Sequence, residues 1–138
     1  MKNYQAPQDL LKGRVILITG AGQGIGKTAA LTFAAHGATV ILHGRSVKKL
    51  EEVYDEIETA GHPQPAIFPL DLNKAEDKDF AAMAAGISGQ LGRLDGILHN
   101  AAKIDRPQPL EDQTLEQWLP LLRINLAAPF ALTRACLP

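Results

Sequence analysis

The sequence predicts an α/β protein in which helices cover both faces of a parallel sheet, and three observations support this fold class. Short apolar runs alternate with longer segments of helical periodicity, in the order βαβαβαβ. The first run, residues 15–18 (VILI), is continuously apolar, as expected of a parallel strand buried on both faces. Glycines cluster between this run and the first helical segment. Because parallel strands require crossover connections, this order predicts a doubly wound, Rossmann-like sheet with right-handed crossovers.

The predicted strands and helices follow one another with short connections. Strands are expected over residues 14–19, 38–43, 66–70 and 94–98. Apolar residues recur at helical spacing in three intervening helices: Ile25, Ala29 and Phe33; Val47, Leu50, Tyr54 and Ile57; and Phe80, Met83, Ile87 and Leu91. Gly37 and Gly61 follow the first two helices, which is typical of the residue just past a helix end.

The last stretch, residues 115–137, is apolar and has a helical pattern that two prolines interrupt. Pro120 is expected to start a new helical segment, because proline is tolerated in a first helical turn. Pro129 lies in the middle of this stretch, away from its predicted start. No repeat, low-complexity tract or linker divides the chain. One Rossmann-type domain, residues 1–138, is therefore predicted, and its sheet is expected to be truncated after strand four and the helix that follows it.

Composition and charge exclude several classes of protein. Fourteen basic and 15 acidic side chains give a formal net charge of −1, without the basic run that nucleic-acid binding requires. Cys136 is the single cysteine, and no Cys/His cluster has metal-ligand spacing, so neither a disulfide nor a metal site is expected. The N-terminal segment is polar, and no apolar run approaches the ~18 residues of a membrane span. A soluble, cytoplasmic protein that binds neither nucleic acid nor membrane is predicted.

The glycine-rich segment TGAGQGIGKT, residues 19–28, fits two kinds of phosphate site. Both place an anion at a helix N-terminus, where free N–H groups and the helix dipole attract negative charge. From Ala21 to Lys27-Thr28 it resembles a P-loop with alanine at the first glycine, and Asp71 could supply the magnesium-linked acid. However, Pro69 interrupts the strand that should precede that acid. The wider spacing TGxxxGxG instead indicates a dinucleotide site.

Five motifs, in order along the chain, resemble those of the short-chain dehydrogenase/reductase family. They are TGAGQGIG at 19–26, HGRS at 43–46, Asp71-Leu72, HNAA at 99–102, and Asn125 in RINLAAPF. Each lies at the carboxyl end of a predicted strand, where ligands bind in doubly wound sheets, or on the last predicted helix. The resemblance covers nearly the whole chain. It implies an NAD(P)-dependent oxidoreductase that transfers hydride between the cofactor and a small-molecule carbonyl or alcohol substrate.

The resemblance places the cofactor against the first four motifs. Gly20 would permit the tight turn after the first strand, Gly24 would let the backbone approach the pyrophosphate, and Gly26 would let the first helix pack closely on the sheet. The implied cofactor-binding residues are Thr19, Gly20, Gly22, Gln23, Gly24, Ile25, Gly26, Gly44, Arg45, Ser46, Asp71, Leu72, Asn100, Ala101 and Ala102.

The residues after the second strand predict which dinucleotide is bound. NAD-binding enzymes usually carry an acid about 20 residues beyond the glycine loop, where it bonds the ribose 2′-hydroxyl. This chain has Gly44-Arg45-Ser46 there, and a guanidinium can pair with a 2′-phosphate. We therefore expect NADP(H) to be preferred over NAD(H), with NADPH bound more tightly than NADH. Ser46 is also expected to cap the second helix.

The resemblance also suggests contacts with the adenine and the nicotinamide ribose. Asp71 would bond the adenine amino group; the alternative is that it caps the next helix. Asn100-Ala101-Ala102 matches a family stretch in which Ala102 replaces glycine and His99 replaces an asparagine. Small residues there would let the nicotinamide ribose lie against the backbone. His99 is expected to be a core histidine without a catalytic role.

Asn125 is the one catalytic residue that the resemblance places in this chain. Pro129, four residues later, has no N–H, so the Asn125 carbonyl would lose its helical partner. Such a carbonyl beside a cleft could hold an ordered water for a proton relay. The alternative is a buried asparagine at an ordinary proline kink.

The serine, tyrosine and lysine that complete the family's catalytic set are not found at matching positions. Tyr4 and Tyr54 are followed at the family's spacing by Gln8 and Glu58 rather than by lysine. The chain is therefore interpreted as the N-terminal part of a longer enzyme, inactive alone, whose fourth strand keeps an unpaired edge. The alternative functions are a P-loop hydrolase or kinase and a non-catalytic dinucleotide-binding module.

The resemblance further implies that the longer enzyme is a homo-oligomer, as a dimer or tetramer. Trp118, Leu122 and Phe130 in the last apolar stretch are candidates for its interface. The alternative for these three residues is packing in the core.

Overall fold

A computed structural model describes residues 4–137, in which four strands alternate with helices. The strands are β1 (Val15–Thr19), β2 (Thr39–Gly44), β3 (Ala66–Pro69) and β4 (Gly96–Leu98). The helices are α1 (Gly24–Ala35), α2 (Val47–Thr59), α3 (Asp77–Leu91), α4 (Leu115–Leu122) and α5 (Ala128–Cys136). A 3-10 turn (Leu110–Asp112) precedes α4, and a π-helical turn (Arg123–Ala127) joins α4 to α5.

The four strands form one parallel sheet in the order β3-β2-β1-β4, which confirms the predicted architecture. β1 lies inside the sheet, where Ile18 pairs with Leu42 of β2 and with Leu98 of β4. β3 and β4 form the edges of the sheet. β3 ends on Pro69, and the missing N–H of a proline is tolerated on an edge strand.

The fourth strand begins at Gly96, two residues later than predicted, and Asp95, the residue before it, is hydrogen-bonded to the start of β1. The Asp95 carboxylate accepts a hydrogen bond from Val15 N at 2.8 Å, and the Asp95 N–H donates to the Val15 carbonyl at 2.8 Å. Arg93 and Arg14 bind the same carboxylate at 2.6 and 3.1 Å. The hydrogen bond from Arg93, followed by that from Val15 N, holds the pKa of Asp95 well below its usual range.

Alternate side chains of the sheet enter two apolar cores, one on each face. Leu17 and Ile41 face the core under α3 and α5, whereas Ile18, Val40 and Leu42 face the core under α1 and α2. Neighbours alternate because successive side chains of a strand point to opposite faces. The sheet is therefore covered on both faces, as the continuously apolar first strand predicts.

The face of α1 that meets the sheet differs from the predicted one. Gly26, Ala30 and Ala34 are the buried residues of this helix, whereas Ile25 is 79% exposed. Small residues let α1 approach the sheet closely, and the pattern of larger apolar side chains therefore misplaced the face by one residue.

The predicted ends of α1 and α2 are confirmed. Gly37 and Gly61 lie just past these helices with φ of +93° and +76°, values that favour glycine. At the start of α2, Ser46 Oγ accepts a hydrogen bond from Lys49 N at 3.4 Å. Ser46 is therefore the N-cap, as predicted.

The last apolar stretch forms two helices that begin elsewhere than predicted. α4 begins after Thr114, whose hydroxyl accepts from Gln117 N at 3.3 Å while the Gln117 side chain accepts from Thr114 N at 2.9 Å. Pro120 lies inside α4, so the prediction that it starts a segment is wrong. Pro129 lies in the first turn of α5, where a missing N–H is tolerated.

Candidate functional site

The glycine loop and the segments after β2, β3 and β4 meet at the carboxyl edge of the sheet, because parallel strands all end there. Hydrogen bonds connect these segments. Ala21 N donates to the His43 carbonyl at 2.9 Å, and Leu70 N donates to the Gly44 carbonyl at 3.1 Å. The structure thus brings the first four predicted motifs to one surface.

Thr19 joins β1 to the segment after β4 through a buried hydroxyl. Its Oγ1 accepts hydrogen bonds from Asn100 N and Ala101 N, both at 3.0 Å, and donates to the Leu98 carbonyl at 3.4 Å. Thr19 is only 2% exposed. Its hydroxyl is used inside the protein, where it fixes the position of Asn100-Ala101-Ala102.

Three glycines shape the loop between β1 and α1. Gly20 and Gly24 have φ of +70° and +55°, a region that residues with side chains rarely adopt. A Cβ built at Gly26 would overlap the Gly20 carbonyl and lie 2.6 Å from Asn100 Nδ2, so no side chain fits there. A Cβ at Gly24 would meet open space. The outer side of the loop is therefore accessible to a ligand.

The N-terminus of α1 is open to an anion. Gln23 is its N-cap, and the Gln23 side chain makes no capping hydrogen bond. The first-turn N–H groups therefore receive no acceptor from the cap and lie at the positive end of the helix dipole. Gln23 Oε1 instead accepts a hydrogen bond from Lys49 Nζ of α2 at 2.5 Å.

The cationic side chains near the loop differ in their partners. Lys27, which a P-loop would direct at phosphates, forms an ion pair with Glu56 of α2 at 2.6 Å. Arg45 is exposed and has no hydrogen bond or ion pair with the residues that the structure describes. Its positive charge is therefore available beside the start of α2.

Asp71 and Leu72 follow β3 in a tight turn. Asp71 Oδ1 accepts a hydrogen bond from Asn73 N at 3.0 Å, and α3 begins only at Asp77, after its own cap Glu76. The alternative that Asp71 caps the next helix is therefore wrong. Leu72 is 7% exposed and packs in the core under α3, so Asp71 supplies the polar side chain of this pair.

His43, at the end of β2, received no role from the sequence motifs. Its side chain is 1% exposed, and neither ring nitrogen has a hydrogen-bond partner among residues 4–137. Burial lowers the pKa of His43 from 6.5 to about 4, because a buried imidazolium loses its hydration. His43 directly follows the apolar residues of β2, and this position could have indicated from the sequence that its ring is buried and uncharged.

Asn125 lies in the π-helical turn and holds the segment that follows β4. Its Oδ1 accepts from Lys103 N at 2.8 Å, and its Nδ2 donates to the Lys103 carbonyl at 2.7 Å. Asn125 is exposed, so the alternative of a buried asparagine is wrong. A cavity of about 340 Å³ adjoins it, lined by residues that include Ile104, Gln117 and Trp118.

Four other residues, for which the sequence suggested a place in the core, lie at the surface of this chain. His99 is exposed, and its Nε2 is hydrogen-bonded to Thr133 Oγ1 at 2.8 Å, so the expectation of a core histidine is wrong. Partial burial lowers the pKa of His99. Trp118, Leu122 and Phe130 are 43%, 45% and 63% exposed, which rules out core packing for them within this chain.

The tyrosines of the described segment do not form a catalytic pair with lysine. The Tyr54 hydroxyl donates to Glu58 at 3.2 Å and accepts from Gln64 at 2.6 Å. Tyr4 is 72% exposed. Within residues 4–137, no helix has the length and apolar character to cross a membrane, and no group of three His, Cys, Asp or Glu could hold a metal ion.

The glycine loop, the open start of α1 and the parallel sheet define the class of protein. The profile of the family described as short chain dehydrogenase matches residues 14–138. The chain belongs to the short chain dehydrogenase family. The P-loop interpretation is therefore wrong, in agreement with the ion pair that turns Lys27 towards Glu56.

Within this family the chain is similar to the Escherichia coli K12 protein described as uncharacterized oxidoreductase YciK, with 43% identity over 136 residues. The match covers 99% of this chain and 54% of YciK. The stretches YQAPQDLL and LDGILHNAA indicate a YciK-type oxidoreductase, and this prediction is confirmed. A Monascus purpureus short chain dehydrogenase, mpl6, is 36% identical, with 91% of this chain and 44% of that protein covered. The chain spans about half the length of the curated relatives it matches.

Solved structures share the fold. A Pseudomonas syringae protein described as a short chain dehydrogenase has a TM-score of 0.95 and 48% identity, covering 100% of this chain and 57% of that one. An Escherichia coli CFT073 protein of the same description, complexed with NADPH, has a TM-score of 0.92 and 43% identity, covering 96% and 55%. A Shigella flexneri protein complexed with NADP gives the same four values.

Proposed function

We propose that this chain forms the NADP(H)-binding domain of an oxidoreductase that interconverts a small-molecule carbonyl compound and its alcohol. Arg45 is the observation that carries the proposal. Its exposed guanidinium, unpaired among the described residues, stands at the end of β2, where an acid would favour NAD(H). The similar structures complexed with NADPH and NADP support it. When bound, the cofactor supplies the hydride chemistry, and the protein binds and orients it.

The glycine loop would hold the pyrophosphate. Gly20 and Gly22 keep the turn free of side chains, and Gln23 to Gly26 form the open start of α1. Backbone N–H groups there would donate to phosphate oxygens, assisted by the helix dipole. Ile25 is exposed beside these groups and would contact the cofactor through its apolar side chain.

The remaining motifs would hold the two nucleoside ends. Arg45 and Ser46, which follow Gly44, would bind the 2′-phosphate, and Asp71, backed by the buried Leu72, would accept a hydrogen bond from the adenine amino group. The nicotinamide ribose would lie against Asn100-Ala101-Ala102. Thr19 positions this last segment, since its hydroxyl bonds two of the three amides.

Asn125 would contribute to catalysis through its backbone. Its side chain is hydrogen-bonded to the Lys103 backbone, so the proposed role falls to the main-chain carbonyl, which would hold a water of the proton relay. Pro129 cannot supply the N–H that a regular α-helix would direct at this carbonyl. The described residues contain no tyrosine paired with lysine, so we propose that this chain alone binds cofactor without turning substrate over.

We further propose that the full-length enzyme is a cytoplasmic homo-oligomer. Trp118, Leu122 and Phe130 expose apolar surface on α4 and α5, which favours burial against further protein, and we propose that another copy supplies part of it. Sedimentation of the purified enzyme would measure its assembly state, and a monomer at micromolar concentration would contradict this part of the proposal.

Substitution of Arg45→Asp tests the choice of cofactor. A charge-assisted hydrogen bond contributes roughly 1.5 to 3 kcal/mol, so the variant should bind NADPH about ten- to hundredfold more weakly. NADH, which lacks the 2′-phosphate, should bind with unchanged or improved affinity. Calorimetric titration of the full-length enzyme with both cofactors measures this.

Lys12→Asp is the matched control for Arg45→Asp. Lys12 is exposed just before β1, at the amino ends of the strands and so away from the glycine loop. The substitution makes the same change of charge. Because salt screens distant charges, it should leave both affinities within about twofold. Equal affinity of the unaltered enzyme for NADPH and NADH would contradict the proposal.

A further inference from the structure

Lys49, in the first turn of α2, lies across the glycine loop. A Cβ built at Gly22 would be 3.0 Å from Lys49 Cβ, so the loop packs against the stem of the lysine. The Lys49 ammonium then reaches Gln23 Oε1 at 2.5 Å. Two segments 26 residues apart in sequence therefore meet where the loop passes the start of α2.

The ammonium of Lys49 keeps its positive charge available. Its partner Gln23 is neutral, whereas Lys27 is neutralised by Glu56 at 2.6 Å. Lys49 has no ion pair with any carboxylate of residues 4–137. An ammonium has three N–H donors, so two remain after the bond to Gln23. These two can serve an anion at the loop.

Lys49 and Arg45 stand on either side of Ser46. Lys49 N donates to Ser46 Oγ at 3.4 Å, and Arg45 directly precedes Ser46 in the chain. The backbones of two cationic residues without an acidic partner in the described residues therefore adjoin Ser46, and the Lys49 ammonium reaches from there to Gln23. A phosphate monoester carries about −1.5 to −2 charges near neutral pH, so a single guanidinium does not neutralise it.

We propose that Lys49 is a second specificity residue for the 2′-phosphate of NADP(H), supplied by α2 and held over the glycine loop by Gln23. The inference rests on the proposed NADP(H) binding and adds a residue that lies outside the five motifs. Lys49 donates to the phosphate oxygens from the side of the loop, and Arg45 donates from the side of β2. Gln23 is a positioning residue in this arrangement, since its amide oxygen directs the ammonium.

Lys49→Met in the full-length enzyme tests the inference, because it removes the charge and keeps an unbranched apolar stem. NADPH binding should weaken about tenfold, as expected for loss of one charge-assisted hydrogen bond. NADH binding should stay within about twofold, and the NADPH affinity should depend less steeply on salt than in the unaltered enzyme. Lys49→Arg, which keeps the charge, should retain the preference for NADPH.

Lys48→Met is the matched control, with the same charge removed from the neighbouring exposed position of α2. It should change NADPH affinity by less than about twofold, because the Lys48 ammonium has no ion pair within residues 4–137 and salt screens its charge. Gln23→Leu should cause no further loss of NADPH preference in the Lys49→Met background, since both changes act on one group.

Three results would overturn the inference. Equal NADPH affinity in Lys49→Met and Lys48→Met would leave Lys49 without a role, and the proposed function would still stand if Arg45→Asp abolished the preference. Equal loss of NADPH and NADH affinity would show that Lys49 shapes the loop rather than reading the 2′-phosphate. Failure of the unaltered enzyme to bind NADPH would overturn the inference together with the proposed function.

Discussion

Thr19 and Asn100 bind other protein groups at the edge where a ligand would lie. The Thr19 hydroxyl is shared between two backbone amides and a carbonyl, and Asn100 Nδ2 donates to the carbonyls of Thr19 and Gly20 at 3.1 and 3.3 Å. Arg45, at the same edge, has no such partner among the described residues. The first two residues therefore hold the shape of this edge, and Arg45 leaves a positive charge exposed beside it.

We expect His43 to make the fold sensitive to acid. Its pKa of about 4 in the folded protein lies below 6.5, so the unfolded chain binds the proton more readily. The stabilisation from keeping this ring neutral is complete above pH 6.5 and is lost as the pH falls towards about 4. The difference between the two pKa values corresponds to about 3 kcal/mol of unfolding free energy. Leucine cannot bind a proton. The unfolding free energy of His43→Leu should therefore fall less on acidification than that of the unaltered protein, by up to about 3 kcal/mol.

Denaturant unfolding at a series of pH values between neutral and about 4 measures this difference. His62→Leu is the control, because His62 lies in the connection between α2 and β3 rather than under the site. This control should lose stability with acid as the unaltered protein does. A His43→Leu protein with the same acid-side loss as the unaltered protein would show that His43 is not the group responsible.

At the scale of elements, the approach of α1 to the sheet depends on Gly26. A methyl group there would overlap the Gly20 carbonyl and crowd Asn100 Nδ2, so Gly26→Ala must push α1 away from the loop. Overpacking of this kind costs about 1 to 3 kcal/mol. Thermal unfolding should therefore show lower stability, and NADPH affinity should fall because the start of α1 moves.

Gly89→Ala provides the comparison on another helix. Gly89 lies inside α3, and a Cβ built there meets nothing within 4 Å. This substitution should stabilise the protein by about 0.5 to 1 kcal/mol, since glycine is a poor helix former. If the two substitutions had equal effects on stability, the close packing of α1 would not be the reason for Gly26.

The order of the elements was predictable, because each strand and each of the first three helices has its own periodicity or cap. Some of the details that failed depend on contacts between elements, whereas the start of α4 was missed although a local signal for it is present. The residue before β4, Asp95, is hydrogen-bonded to Val15, 80 residues away. The start of α4 was readable from Thr114 and Gln117, which form a capping box. The π-helical turn after α4 was not predicted as such, although Pro129, which has no N–H for the Asn125 carbonyl, is a local cause of irregular helix there.

At the scale of the whole molecule, the candidate site residues could be located from the sequence because they directly follow predicted strands. The contacts that hold them in place could not be predicted. Gln23 and Lys49 are 26 residues apart, and Lys103 and Asn125 are 22 apart, so no local pattern connects them. The chain spans about half the length of its relatives, and it contains the carboxyl ends of four parallel strands, where the proposed cofactor would bind. β4 lies at one edge of that sheet, so within the described residues its outer side is free for further strand pairing.

A crystal structure of the full-length enzyme with NADPH tests the central claim most directly. We expect the pyrophosphate on the backbone of residues 20–26 and the 2′-phosphate within about 3 Å of the Arg45 guanidinium, as a charge-assisted hydrogen bond requires. NADPH bound with its pyrophosphate away from this loop, or with Arg45 directed into solvent and no cation on the 2′-phosphate, would contradict the account.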